Sequence, residues 1–541
     1  MAGTVLENLS GRKLFVLTSI LVICQIVCFL IGGLIAPAPS RATTMLATKC
    51  LDPEANRNKW LYPRGPASKT CRVIEHLESD NPFTADNIVF AFQIPFAKEN
   101  VILDYTRWQQ NLIGILQLEI RYSKESPVVP DAQLMIDARL AYRNDNETEW
   151  KLYAESMEVR TLDCEIDEPK EGYNYNCGLI PLFELGSLHH DFYLINIRLP
   201  APAHQIYNKG IGILEDIHLV TIHQNGGFTK VWFSLKTIFT PLVLFVLVWY
   251  WQRVKAQGRP PALLEKLILF LGVAIEFLNL PIEWLTLFID MPYMLLIGDI
   301  RQGIFYAALL SFWLVFTGEH LMESSGDKNT LHTYWKHLSA VAVGCVALFL
   351  FDLCERGAHV ANPFYSLWAT PVGTRLALGL IIAAGISASL YFIFLSWMVW
   401  RVFRNISAKR TALPAMSAVR RMHYQGIIYR FKFLMLTTLA CAAMTVIGFI
   451  LGQVTEDKWK WDGEVDIEYT SAFYTGVYGM WNIYAMALLS LYAPSHKRWP
   501  PERDPYANTN SGTEEIEFTR LEPDTSEISA LASFAKKVAA D

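Results

Sequence analysis

Long apolar runs and one long interval of alternating polarity divide this 541-residue chain. Roughly 20 mostly apolar residues cross a hydrocarbon core about 30 Å thick. Eight segments meet that length, at 14–36, 232–251, 267–289, 302–322, 338–354, 376–400, 431–452 and 471–492. One run stands before, and seven stand after, a polar block at 37–231. The first run, LFVLTSILVICQIVCFLIGGLIA, is longer than the apolar region of a signal peptide, so it reads as an uncleaved anchor although APAPS follows it like a cleavage site. Within the polar block, Leu134, Ile136, Ala138, Leu140 and Tyr142 alternate with Asp137, Arg139 and Arg143, the pattern of a half-buried strand. Similar stretches at 87–95, 112–122, 191–199 and 217–223, separated by Pro- and Gly-containing turns, predict an antiparallel β-sandwich. The block ends in IHQNGGFTKVW, where Gly226 and Gly227 make the turn into the second helix and can also fix the angle between domain and bundle.

The predicted class is therefore an α+β membrane protein. It comprises an N-terminal segment 1–13, transmembrane helix 14–36, β-sandwich domain 37–231, seven-helix domain 232–492 and tail 493–541. The tail is rich in Pro, Ser, Thr and Glu and is expected to be disordered. Lys and Arg in the short loops set the orientation. With a cytosolic N-terminus, that side carries 18 of them and the opposite side five, Arg301, Arg356, Arg375, Lys458 and Lys460. Both termini are accordingly expected in the cytosol and the sandwich in the secretory lumen or outside the cell.

Cysteine placement agrees with this orientation. Cys24, Cys28, Cys345, Cys354 and Cys441 belong to helices, and Cys50, Cys71, Cys164 and Cys177 form an even set in the polar block. Short separations favour Cys50 with Cys71 and Cys164 with Cys177 over the other two connectivities. No cysteine has zinc-like spacing, and neither metal nor cofactor is implied. Asn146, in Asn-Glu-Thr, is a glycosylation acceptor on the side where glycans are added. The net charge of −5 is spread too thinly to suggest a nucleic-acid partner.

Ionisable groups at membrane depth face a bundle interior, a partner or water. Glu276 lies near mid-span, with Asn279, Pro281 and Glu283 following it. Asp299 and Arg301, and then Asp352, Glu355 and Arg356, stand at helix ends on the sandwich side. Such groups serve either as structural ion pairs or as a polar rim guarding a cavity. The basic stretch 401–430, read as a cytosolic loop, is suited to anionic lipid. It contains Tyr424-Gln-Gly-Ile427, a Tyr-x-x-apolar pattern.

Other function classes fit less well. A seven-helix signalling receptor with an extracellular ligand-binding domain is the alternative, yet GEHLM at 318–322 holds no Asp-Arg-Tyr-like triplet and the last helix lacks Asn-Pro-x-x-Tyr. An intramembrane enzyme would need a nucleophile or metal set, and Glu319-His320 is merely adjacent. A transporter would show inverted halves with broken helices, and neither is evident.

HQNGGFTKVW at 223–232, GDIRQGIFYA at 298–307, CERG at 354–357, NPFYSLW at 362–368, RFKFLMLTTLACAAMT at 430–445 and YGMWNIY at 478–484 together resemble the Wntless family of Wnt cargo receptors. The likeness runs from MAGTVLENLS through YAPSHK, and the ending, EEIEF and SEISALASFAKKVA, is insect-like. The resemblance implies a seven-helix domain similar to G-protein-coupled receptors and a partner Wnt carrying palmitoleate on a serine in a hairpin. That hairpin is expected to enter the bundle while the sandwich grips the rest. The expected lining is Phe305 and Tyr306 with Asp299, Arg301, Gln302, Glu276, Asp352, Glu355 and Arg356. Tyr424 and Ile427 fall where the family carries its internalisation signal, implying clathrin-adaptor binding and retromer-dependent recycling. The itinerary expected is endoplasmic reticulum, Golgi, endosome and plasma membrane, with no enzymatic activity.

Overall fold

The structure is a computed structural model that describes residues 4–9, 11–52, 61–63, 71–74, 87–95, 103–166, 168–201, 207–322, 334–412, 418–459 and 468–495. Its β-domain is a two-sheet sandwich. Strands β1 (Ser40–Leu46), β12 (Ile213–Gln224), β5 (Leu112–Arg121) and β10 (Ile180–Leu185) form one sheet in that order. The other runs β3 (Arg72–Val73), β2 (Thr48–Leu51), β4 (Ile88–Ile94), β11 (Phe192–Arg198), β6 (Gln133–Arg143) and β7 (Lys151–Thr161). A ribbon of β8 (Cys164–Glu165) and β9 (Asn176–Cys177) lies apart.

Every ladder is antiparallel, so side chains alternate between faces and each sheet can present one apolar face to the other. Leu112, Leu116, Leu118 and Ile120 of β5 meet Phe90, Phe92, Leu134 and Ile136 of the second sheet in one shared core. The central strand β11 is buried along its whole length. Its polar members have partners there: Asn196 exchanges hydrogen bonds with the Tyr62 backbone, and Arg198 pairs with Asp52. Disulfides join Cys50 to Cys71 across β2 and β3, and Cys164 to Cys177 across the ribbon.

The helices are a short α1 (Val5–Asn8), then α2 (Gly11–Leu30) continuing as a π-turn over Ile31–Ile35. After the β-domain come α3 (Gly226–Lys255), α4 (Leu263–Asn279), α5 (Met294–Met322), α6 (Trp335–Ala361), α7 (Pro371–Ala412), α8 (Ala418–Trp459) and α9 (Glu468–Leu491). Seven of the eight apolar runs of the sequence fall on helices, and the run 267–289 does so only as far as Asn279. By length and apolar composition, five described segments qualify as membrane spans: Arg12–Ile35, Gly226–Lys255, Met294–His320, Trp335–Ala361 and Pro371–Ala408. The chain is thus a multi-pass membrane protein. Helix α4 stops after 17 residues, short of a full crossing, and Tyr, Thr and Asn lower the apolar content of α9.

Two features depart from the sequence reading. The run 267–289, expected to kink at its end by Pro281, breaks outright after Asn279, since Pro281 has no N–H for the helix, and the chain re-forms only as a 3-10 turn over Ile282–Leu287. The expected loop 401–430 is largely helical: α7 continues to Ala412 and α8 begins at Ala418. Arg, Lys and Ala are good helix formers without a core to bury, and Pro414 lies in the intervening 413–417, outside the described residues.

Strand β12 enters α3 across a single residue. The Asn225 side chain caps the helix, its oxygen accepting from the Gly227 N–H at 3.0 Å. A Cβ at Gly227 would stand 2.7 Å from Pro37 Cγ, and one at Gly226 would stand 3.0 Å from Trp108 Cβ. Both glycines therefore admit neighbouring chain as well as making the turn.

Candidate functional site

The sequence-predicted residues divide between two places. The first is the break in α4, where four backbone carbonyls lose their helical donors. Arg301 of α5, fully buried, fills this gap. Its guanidinium donates to the carbonyls of Phe277 (2.8 Å), Leu278 and Leu280, and to Glu283 Oε1 at 2.9 Å. Lys236 of α3 pairs with the same carboxylate oxygen. Beside this triad, Asn279 links to Asn482 and Tyr478 of α9. Arg301 thus pins a broken helix and joins α3, α4 and α5, and it does not line a cavity rim. Phe305, one turn further along the same face, is buried against Trp481. Glu276 is half-buried on α4, and among the described residues its Oε2 meets no hydrogen-bond partner.

The second place is the junction of the β-domain with α5, α6 and the α6–α7 loop. Arg356 of α6 bridges Asp299 of α5 at 2.6 Å and Glu184 of β10 at 3.4 Å. His359, one turn along α6, meets Glu184 at 3.4 Å, and its other ring nitrogen lies 2.7 Å from the Tyr365 carbonyl. In the loop, Phe364 is fully buried inside the sandwich core, edge-on to Phe183. Arg160 of β7 donates to the Phe364 carbonyl at 2.7 Å, and the Glu184 N–H donates to Pro363 O at 2.9 Å. Gly186 approaches so closely that a Cβ would stand 2.3 Å from Pro292 O. A small cleft, open on one side, lies here between Tyr153, Glu184, Leu296, Arg356 and His359. Asp352 and Glu355 are half-buried on α6, and among the described residues neither enters an ion pair.

Helical phase explains the division. Arg301 and Phe305 share one face of α5, while Asp299, Gln302, Gly303 and Tyr306 lie away from it. That side is open: a Cβ added to Gly303 meets no atom within 4 Å, and Gln302 is exposed. Asp299 is thereby paired with Arg356 and Gln302 with Tyr306, and Arg301 and Phe305 turn inward. Glu184, His359 and Arg160 had no sequence signal, because each acts through a residue in another domain, and Phe364 was marked only as part of the NPFYSLW motif.

At the domain–bundle seam, His223 near the end of β12 is buried beside Tyr105, with ring centroids 5.5 Å apart. Burial, reinforced by nearby Arg41, pulls its pKa from 6.5 down to about 4.

Two family models match the chain, "Wntless, GOLD domain" over residues 48–224 and "Wntless-like, transmembrane domain" over residues 225–496. Proteins named "Protein wntless" are similar over the full length of both chains, at 54% identity in Drosophila grimshawi, 53% in Drosophila virilis and 52% in Drosophila sechellia. The chain belongs to the Wntless family. The boundary between the matched Wntless segments, at 224 and 225, is the point where β12 ends and Asn225 caps α3. Of the remaining predicted positions, Asn146 is exposed in the turn between β6 and β7, and the backbone of 424–427 is helical within α8. The predicted tail lies outside the described residues from 496 onward.

Proposed function

We propose that this protein is a non-enzymatic cargo receptor that carries acylated Wnt proteins through the secretory pathway. In this reading the β-domain faces the lumen and holds the protein part of the cargo, the seven helices after it form a receptor-like bundle, and the palmitoleate enters the open side of α5. The observation that carries it is the juxtaposition of that open helix face with a β-domain locked to the bundle by Phe364 and the Glu184–Arg356–Asp299 network.

The physical demand on such a carrier is set by the acyl chain. At about 0.8 kcal/mol per buried CH₂, a chain of about sixteen carbons left in water drives its protein to membranes or aggregates. An apolar slot with a few polar groups at its mouth shields the chain while leaving it exchangeable. Asp299, Gln302 and Arg356 are the polar groups, and Gly303 leaves the space. Tyr424-Gln-Gly-Ile427 then serves as the adaptor-binding signal for retrieval from the cell surface and retromer-dependent recycling.

The test compares wild-type Wnt with a variant lacking its acylated serine for co-purification with the full-length protein. Wild-type cargo alone should be retained, and equal recovery of both refutes lipid-dependent carriage. Gly303→Phe, which places a ring in open space, should leave thermal stability unchanged and abolish the preference for acylated cargo.

A further inference from the structure

The far end of the bundle from the β-domain carries a set of cations whose arrangement the cargo reading does not use. Helix α7 is 42 residues long, about 63 Å at 1.5 Å per residue, and so extends well past a 30 Å hydrocarbon core. Near that end two aromatic–cation pairs repeat one turn apart, with Arg401 over Trp397 at 4.7 Å and Arg404 over Trp400 at 5.9 Å. Indoles seek the membrane interface, so a cation one turn beyond each stands at the depth of lipid phosphates.

Helix α8 supplies the facing side. Phe403 of α7 meets Phe431 of α8 with ring centroids 5.6 Å apart, and the next residue, Lys432, is exposed. Away from this contact, α7 packs chiefly on α6 and α5 while α8 packs on α9. Leu390 and Ile393 of α7 and Leu436 and Leu439 of α8 are exposed apolar side chains of these two helices. Between Arg401 and Lys432 the sequence has eight Lys and Arg and no Asp or Glu.

We propose that Arg401, Arg404 and Lys432 bind the headgroup of a phosphoinositide, with its tails along the apolar flanks of α7 and α8. Charge complementarity selects this lipid. Several cations at one level with no acid among them exceed what a singly charged headgroup needs, and match a lipid bearing monoester phosphates.

The full-length protein, reconstituted in phosphatidylcholine nanodiscs doped with phosphatidylinositol 4,5-bisphosphate or with phosphatidylserine at equal total charge, is analysed by native mass spectrometry for retained lipid. The phosphoinositide should be retained over phosphatidylserine. Arg401→Gln with Arg404→Gln should weaken retention about thirtyfold, from roughly 1 kcal/mol per cation. Arg253→Gln with Lys255→Gln removes equivalent cations stacked on Trp249 and Trp251 of α3 and should leave retention unchanged. Equal retention of both lipids, no loss in the α7 variant, or equal loss in the α3 variant overturns the proposal. So does capture of soluble inositol phosphate or adaptor protein with no retained lipid.

Discussion

Replacing Arg301 should damage this protein more than any other single change among the charged residues of the bundle. The side chain donates to three carbonyls at the α4 break and to Glu283, all away from water. Hydrogen bonds from a charged donor contribute about 1.5–3 kcal/mol each, but they share one guanidinium and do not add. Removing one partner of a buried pair costs about 3–5 kcal/mol, because the groups left behind stay desolvated. Lys236 remains to neutralise Glu283, so the lower half of that range applies, about 3–4 kcal/mol for Arg301→Ala. At about 2–4 °C per kcal/mol for a domain of this size, the melting temperature should fall by about 6–16 °C. Arg301→Lys restores the charge but offers a compact ammonium to carbonyls spread over four residues, and should recover less than half of the loss. Thermal unfolding of purified protein, followed by size-exclusion recovery after heating, measures this. Arg356→Ala is the control, since its pairs are partly exposed and worth about 1 kcal/mol or less. An Arg301→Ala protein that melts with the Arg356→Ala protein refutes the pinning argument.

Three further outcomes are expected. Phe364→Ala should cost about 3–5 kcal/mol by emptying a site in the sandwich core, and, because the ring comes from the bundle, it should raise protease sensitivity at the domain junction; unchanged cleavage there refutes the coupling. His223 stays neutral when folded, so the unfolded chain takes up the extra proton between pH 6.5 and about 4. Stability should be full above about pH 6.5, be lower by about 1 kcal/mol at pH 5.5, and level off below pH 4 at a loss of about 3 kcal/mol; His223→Gln should flatten that slope, and parallel melting curves for the two proteins count against it. Tyr424→Ala should leave cargo capture intact and strand the protein at the cell surface, and normal antibody uptake removes the sorting assignment.

How much the sequence disclosed depends on the distance over which each determinant acts. The half-buried strands β5, β6 and β12 announced themselves because their alternation repeats every second residue and one face meets the other sheet. Strand β7 did not, since as an edge strand it has weak alternation, with exposed Leu152, Tyr153 and Met157. The α4 break was legible in Pro281, but its repair by Arg301 was not, because a capping side chain from another helix leaves no local pattern.

Hydropathy and loop charge, summed over twenty residues at a time, fixed the membrane character, the expected topology and the place of the β-domain between the first helix and the rest. Those are solvent-transfer properties, which a linear sequence carries in full. The sequence also grouped Asp299, Arg301, Gln302, Phe305 and Tyr306 as one site. Tertiary structure alone decided which of them look inward and which face open space, because successive residues on a helix turn by about 100° and only the neighbouring helices say which direction is core.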